Sequence, residues 1–239
     1  MSEPRVLVIA AHPDDIDFAC AGTMALWSRQ GRHITYLLCT SGEKGMREDL
    51  PEWEKMRVRE EEQIEAARLV GVQDVLFLRR KDGELENTQG FRRDLVRVMR
   101  QVQPQIVFSR DPANNRFDSF YGYHSDHRAV ALAVFDALYP AVGNPLFFPA
   151  LLQEGLKPHR VQEVYFTGSP EPNLWIDIRP VIDLKVKALA SHRSQMDHPE
   201  ELERIVREWA GRTGKGARKG GRQRPLKYAE AFRRLEVPE

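Results

Sequence analysis

The feature that most constrains the fold is a short apolar strand pattern that leads directly into a helix pattern. Residues 5–10 (RVLVIA) are rich in β-branched side chains, which is typical of a strand buried on both faces of a parallel sheet. Pro13 fits the first turn of the following helix, and apolar residues keep helical spacing from there to Gln30. The chain therefore opens with a strand, a sharp turn and a helix.

The same alternation continues along most of the chain. Further strand patterns occur at residues 33–39, 75–78, 105–109, 163–167 and 174–178, and helix patterns at residues 53–69, 91–102, 125–138, 180–192 and 200–210. Strands that alternate with helices indicate βαβ units with right-handed crossovers. We therefore expect an α/β fold: a Rossmann-like, doubly wound, mostly parallel sheet with helices on both faces and functional residues at the carboxyl ends of its strands.

Length and charge favour a single domain over residues 1–239 with a basic, glycine-rich loop at about residues 211–225. A chain of 239 residues, 41% of them hydrophobic, can bury a large core without disulfides or repeats. Residues 212–224 contain six Lys or Arg and no acid. A basic stretch can bind phosphate or nucleic acid, but this one has no aromatic residue for stacking. We favour a solvated loop and expect no nucleic-acid partner.

The two cysteines indicate a reducing compartment. Cys20 and Cys39 lie in apolar stretches without C-x-x-C spacing, so we expect neither a disulfide nor a cysteine metal site. The polar start of the chain does not resemble a signal peptide, and no apolar run reaches membrane-spanning length. We expect a cytoplasmic protein without a membrane partner.

The first group of candidate functional residues is His12-Pro13-Asp14-Asp15, where the first strand gives way to its helix. His12 and Asp15 are three residues apart, a spacing that places both side chains on one face of a turn. An imidazole nitrogen and a carboxylate oxygen can there bind one cation. The alternative is that the two acids complement the helix dipole while His12 caps the helix. The motif alone leaves both interpretations open.

The second group is His124-Ser125-Asp126-His127, at the start of a helix that follows another strand. Two histidines beside a carboxylate supply the nitrogen and oxygen ligands that zinc prefers. A structural zinc site uses four protein ligands, whereas a catalytic site uses three and keeps one position open. Together the two groups predict a catalytic metal site, with a carboxylate and a histidine left for acid–base chemistry.

These motifs resemble those of the PIG-L/LmbE-like N-acetylglucosaminyl deacetylases. AHPDDID at residues 11–17 is similar to the family's early AHPDD-x-[DE], and HSDH at residues 124–127 to its later H-x-D-H. The resemblance continues through AGTM, TSGEKG, an R-x-x-E-x-x-x-A-A pattern that begins at Arg59, and Asp82-Gly83. It extends to KALASHRSQM and YAEAFRRL near the end, and therefore spans nearly the whole chain.

The resemblance implies a zinc-dependent enzyme that removes the N-acetyl group from an N-acetylglucosamine-type sugar or its conjugate. It implies that His12, Asp15 and His127 are the zinc ligands. It also makes Asp14 the general base, which takes a proton from the attacking water. The same ligand types suit Fe²⁺ or another divalent ion.

Four further residues acquire roles from the resemblance. His124 is implied to stabilise the tetrahedral intermediate and protonate the leaving amine, with Asp126 orienting it. Arg59 and Asp82 look like sugar-binding positions, although Arg59 could instead pair with Glu62 one helical turn away. Members of the family are often homo-oligomers, but the sequence identifies no interface.

Two alternatives remain at this point. The first is a metal-dependent amidohydrolase that acts on a non-sugar acylated amine, because the catalytic residues specify amide cleavage more closely than they specify the substrate. The second is a non-catalytic nucleotide- or nucleic-acid-binding protein on the same fold. The absence of a G-x-G-x-x-G or P-loop pattern counts against it.

Overall fold

The chain forms seven strands and seven helices in the parts that the computed structural model describes, residues 4–114, 123–217 and 225–237. The strands are β1 (Val6–Ala10), β2 (Ile34–Thr40), β3 (Asp74–Arg80), β4 (Ile106–Arg110), β5 (Glu163–Thr167), β6 (Leu174–Asp177) and β7 (Ala229–Glu236). The helices are α1 (Asp15–Arg29), α2 (Glu52–Leu69), α3 (Gln89–Val102), α4 (Ser125–Asp136), α5 (Ala150–Gln153), α6 (Ile182–Ala190) and α7 (Pro199–Gly216).

All seven strands belong to one sheet in the order β3-β2-β1-β4-β5-β7-β6. The strands from β3 to β5 pair in parallel, whereas β7 runs antiparallel to both β5 and β6. The expectation of a mostly parallel α/β sheet is therefore confirmed.

Helices cover both faces of the sheet, because the apolar strands present side chains to each face in turn. Val6 and Val8 of β1 pack into the core beneath α1, α2, α6 and α7. Leu7 and Ile9 of the same strand pack into the opposite core, beneath α3 and α4. Because both faces of β1 are buried, its sequence is a continuous apolar run and does not alternate between apolar and polar residues.

The order of the strands creates a crevice between β1 and β4. From β1 the chain moves outward to β2 and β3, and β4 then returns to the other side of β1, so Val6 pairs with both Ile34 and Ile106. The connections that leave β1 and β4 diverge at their carboxyl ends, which is where ligands bind in doubly wound sheets. His12 follows β1, and His124 follows β4 immediately before α4.

Two local expectations differ from the structure. Helix α1 begins at Asp15, so Pro13 precedes it, because Asp14 has a φ of 87° that no helix accommodates. Helix α7 runs to Gly216 rather than ending at Ala210, because buried positions continue at helical spacing to Gly214. The first part of the expected basic loop is thus helical, and residues 218–224 lie outside the described residues. Within the described chain, no helix is both long and apolar enough to span a membrane.

Candidate metal centre

The turn between β1 and α1 holds His12 and Asp15 against each other. Asp15 Oδ2 accepts a hydrogen bond from the main-chain N–H of His12 at 2.9 Å and lies 3.4 Å from its Nδ1. Asp14 occupies the position before the helix but makes no side-chain capping hydrogen bond. His12 lies two residues before that position and so is not the helix cap, whereas Asp15 lies in the first turn, where a carboxylate also complements the helix dipole.

His127 joins this pair from the first turn of α4. Its Nε2 lies 3.2 Å from His12 Nδ1 and 3.0 Å from Asp15 Oδ1. Ligand atoms about 2.0–2.2 Å from a tetrahedral zinc are about 3.3–3.6 Å apart. The two distances from His127 Nε2, and the 3.4 Å between His12 Nδ1 and Asp15 Oδ2, are close to that spacing. The structure thus brings together the three residues predicted as ligands, and their donor set fits a divalent metal.

Two carboxylates contact the far side of the His12 ring. His12 Nε2 lies 3.0 Å from Asp82 Oδ1 and 3.2 Å from Asp126 Oδ2. A proton on Nε2 is therefore held by acceptors, which leaves the Nδ1 lone pair facing Asp15 and His127. Metal-binding histidines in proteins commonly have a carboxylate partner of this kind, which fixes the ring and its tautomer.

A second set of neighbouring atoms, from His12, His124 and Asp126, also lies within metal-binding distance. The Asp126 carboxylate is fully buried, and its two oxygens accept the main-chain N–H groups of Gly83 and Leu85 at 2.7 and 3.1 Å. Its lone pairs are thus engaged by the protein. The set that includes Asp15 and His127 is the better metal centre.

The charges in the centre attract a cation. Burial lowers the pKa of His12, but its contacts with Asp126, Asp15 and Asp82 outweigh burial and raise the pKa to about 12. Burial would raise the pKa of Asp15, yet the charge of His127 and the contacts with both imidazoles hold it well below its usual range. A metal ion would take the place of the proton on His12 Nδ1, the ring nitrogen that faces Asp15 and His127, while the proton on Nε2 would stay with Asp82 and Asp126.

Asp14 is fixed beside the centre by two residues of α2. Its carboxylate Oδ2 lies 3.2 Å from Arg59 Nη2, and its main-chain N–H donates to Gln63 Oε1 at 3.0 Å. Burial, followed by the negative charge of Asp15, raises the pKa of Asp14 to about 6, against the opposing effect of Arg59. The structure thus holds a carboxyl group whose pKa is raised to about 6 next to Asp15, one of the three candidate ligands.

The contacts of Arg59 do not support the sugar-binding role expected for it, nor its pairing with Glu62. Arg59 is 3% exposed and donates to the carbonyl oxygens of Gly42 and Pro13 at 2.6 and 2.7 Å, as well as to Asp14. Gly42 has a φ of 67°, and a Cβ there would lie 2.6 Å from Arg59 Nη1. This glycine turn and the arginine together support Asp14.

Asp82 is likewise enclosed rather than presented to a sugar. It is 5% exposed; Oδ1 contacts His12, and Oδ2 accepts the main-chain N–H of Lys44 at 2.9 Å. Its own main-chain N–H donates to Glu43. These contacts give Asp82 a role in orienting His12.

His124 lies at the open side of the centre, and its relation to Asp126 differs from the expected one. The Asp126 carboxylate contacts His12, whereas the main-chain N–H of Asp126 donates to His124 Nδ1 at 3.3 Å. The neutral His124 ring therefore carries its proton on Nε2. Burial, followed by the charges of His12 and His127, lowers the pKa of His124.

Sequence reasoning missed a buried layer beneath Asp14. Gln63, which holds the main chain of Asp14, also donates to Asp17 Oδ2 at 2.8 Å. His192 Nε2 lies 2.9 Å from the same oxygen, and both His192 and Asp17 are fully buried. Asp17 belongs to the AHPDDID motif and His192 to KALASHRSQM. The occurrence of both motifs in one chain was the only sequence signal for a contact between these two residues.

We expect Asp82→Asn to weaken divalent-metal binding by about 10- to 100-fold, because it removes one carboxylate that orients His12. Titration with Zn²⁺ against a chromophoric chelator measures the affinity. Glu84→Gln is the matched control, since it removes a nearby carboxylate whose contact is with Lys44 on the surface. An equal loss in both variants would mean that general charge, not orientation of His12, sets the affinity.

Comparisons with known proteins agree with this geometry. A family profile described as "PIG-L: GlcNAc-PI de-N-acetylase" matches residues 7–138. Diacetylchitobiose deacetylase from Thermococcus kodakarensis is 33% identical over 199 residues, 83% of this chain and 72% of that protein. A 1D-myo-inositol 2-acetamido-2-deoxy-alpha-D-glucopyranoside deacetylase from Salinispora arenicola is 29% identical over 219 residues, 77% of this chain and 67% of that protein.

A solved structure extends the similarity to the fold. That of N,N'-diacetylchitobiose deacetylase from Pyrococcus horikoshii has a TM-score of 0.86 and 30% sequence identity. The match covers 97% of this chain and 84% of that one. The similarity therefore extends over nearly the whole chain.

Proposed function

Because the chain belongs to the PIG-L family, whose profile carries the description GlcNAc-PI de-N-acetylase, we propose that it is a metal-dependent deacetylase of N-acetylglucosamine units. The reaction adds water across the amide C–N bond and releases acetate and a free amine. The named relatives act on different conjugates whose common part is the 2-acetamido sugar. The observation that carries the proposal is the convergence of His12, Asp15 and His127, with Asp14 fixed beside them.

We propose Zn²⁺ as the native metal, with Fe²⁺ as the alternative. Two imidazoles and one carboxylate are a ligand set that zinc uses in catalytic sites, and a set of three leaves one position open. When bound, the metal supplies Lewis-acid chemistry: it stabilises negative charge and makes water easier to deprotonate.

Asp14 acts as the general base in this proposal. It adjoins the ligand Asp15, it is not part of the ligand set, and Arg59 and Gln63 fix its side chain and main chain. It takes a proton from the water that attacks the acetyl carbon and passes it towards the departing nitrogen. A fixed carboxylate of near-neutral pKa suits both transfers.

His124 supplies a hydrogen-bond donor from the open side of the centre. Because its Nδ1 accepts the main-chain N–H of Asp126, its Nε2–H is available to the carbonyl oxygen as negative charge develops there. The neutral ring has only this one proton and keeps it, so the proton that reaches the leaving amine is the one that Asp14 took from the water. Asp126 and Asp82 act through His12, whose ring they orient.

The cellular setting is part of the proposal as well. Cys20 and Cys39 are buried free thiols, which suits a reducing cytoplasm. Cell fractionation tests this location, and recovery in an oxidising compartment would contradict it. A homo-oligomer, as in other members of the family, would be detected by light scattering.

The deciding experiment is acetate release from a panel of acetylated amines, measured with defined metals. We expect the chelator-treated protein to release no acetate, and one equivalent of Zn²⁺ per chain to restore release from N-acetylglucosamine derivatives. Fe²⁺ is tested in parallel under anaerobic conditions. Release only from non-sugar acylated amines would replace the proposal with a different amidohydrolase. Salt-sensitive nucleic-acid binding without any turnover would support a non-catalytic protein.

A further inference from the structure

A second cavity of about 450 Å³ lies beside the metal centre, between α1, α7 and the chain that follows β5. A volume of this order is typical of small-molecule sites, which span about 300–1,000 Å³. Ala19 of α1 lines both this cavity and a smaller one of about 40 Å³ that contacts Asp15 and His127. Thr167 borders the smaller cavity and Gly168 the larger. The second cavity thus adjoins the proposed reaction site.

Two aromatic side chains form the outer wall of this cavity. Phe18 follows Asp15 by three residues, so both side chains lie on the same face of α1. Its ring centroid is 5.9 Å from that of Trp209 on α7. Trp209 is 52% exposed, although a large aromatic ring gains free energy by burial. An exposed aromatic pair one helical turn from a metal ligand is well placed to cover part of a bound substrate.

Part of the inner wall of the cavity is polar, and among the described residues that line it the only charged ones are Lys185 and Glu230. Lys185 Nζ lies 2.6 Å from Glu230 Oε1 and also donates to the carbonyl oxygen of Phe18 at 2.7 Å. Glu230 in turn accepts the main-chain N–H groups of Gly22 and Thr23. Because these two charges pair with each other, the described part of the wall offers no unpaired charge to an ionic ligand. Its polar atoms instead suit hydroxyl groups.

Aromatic rings on one side and balanced polar groups on the other match the two surfaces of a pyranose. Such a ring has C–H faces that pack on aromatic side chains and hydroxyl edges that form hydrogen bonds. We propose that this cavity, with Trp209 and Phe18 as its wall, is a subsite for a neutral sugar ring attached to the N-acetylglucosamine unit. The inference rests on the proposed deacetylase function and narrows its substrates to disaccharides or longer neutral glycosides.

The test compares two substrates in the zinc-loaded enzyme: N-acetylglucosamine and N,N'-diacetylchitobiose. We expect Trp209→Ala to lower the ratio of kcat/KM for the disaccharide to kcat/KM for the monosaccharide by about tenfold, mainly through KM, as loss of one aromatic contact predicts. Trp209→Phe should recover most of the ratio. Trp53→Ala removes a tryptophan of similar exposure on α2 that lines neither cavity, and should leave the ratio at the wild-type value.

An unchanged ratio in Trp209→Ala, or the same fall in Trp53→Ala, would overturn the subsite. Thermal melting confirms that each variant is folded. If the wild type released acetate from neither sugar, the deacetylase proposal would fail separately. Calorimetric titration of the disaccharide into wild type and Trp209→Ala would then decide the subsite: weaker binding to the variant supports it, and equal or absent binding overturns it.

Discussion

Asp14→Asn should lower kcat for acetate release by about 10²- to 10⁴-fold, the usual contribution of a positioned general base. Asparagine has nearly the same shape and can still accept a hydrogen bond from Arg59, but it cannot take a proton from water. Because the proposed ligand atoms come from His12, Asp15 and His127, the variant should bind zinc as the wild type does. Steady-state kinetics and metal analysis on the same preparation measure both quantities.

Asp197→Asn is the control for this change, because it makes the same substitution at an exposed carboxylate that pairs with Arg47 on the surface. Full activity in Asp14→Asn would remove Asp14 from the mechanism. Loss of zinc in Asp14→Asn would instead make it a ligand, and the assignment of Asp15 would then need revision.

His127→Ala should abolish activity by abolishing metal binding. It removes one of three ligand atoms, and even the loss of a residue that only orients a ligand costs about 10- to 100-fold in metal affinity. We therefore expect a fall of more than about 100-fold. Zinc content after dialysis measures the loss directly, and the rise in melting temperature on zinc addition, expected for the wild type, should disappear.

The matched control is His33→Ala, since His33 is a half-exposed histidine whose contact is with Asp74, away from the centre. It should retain both zinc and turnover. A His127→Ala protein that kept one equivalent of zinc would show that the metal binds elsewhere, and the neighbouring set of His12, His124 and Asp126 would be the first candidate.

The sequence predicted the fold well because its signals there are local. Continuous apolar runs such as that of β1 occur where both faces of a strand are buried, and helical spacing is visible within a single segment. Because these signals are local, the predicted start of α1 and the predicted end of α7 were wrong. The start of α1 depends on the unusual φ of Asp14, and the length of α7 depends on its buried positions up to Gly214, which pack on a distant part of the chain.

The candidate site could be predicted in part for the same reason. Ligand types and their three-residue spacing are local, and strand order brings the two motifs together. The supporting contacts are not local: Arg59 reaches Asp14 across 45 positions, and Asp126 reaches His12 across 114. No spacing rule connects such pairs. The sequence therefore paired the Asp126 carboxylate with His124 instead of His12, and it did not foresee that Arg59 and Asp82 are buried. The sugar contacts expected for Arg59 and Asp82 stay predictions.

The left-handed backbone of Asp14 lowers the stability of the fold, and the proposed role of Asp14 as general base explains why the chain keeps it. A non-glycine residue in a sparsely populated φ/ψ region typically costs about 1–3 kcal/mol, which glycine would largely avoid. Glycine, however, has no carboxylate. Gln63 and Arg59, both on α2, contact Asp14 and hold it in this backbone conformation. These contacts offset part of the free-energy cost of the positive φ. Selection for a more stable turn would therefore act against the proposed general base.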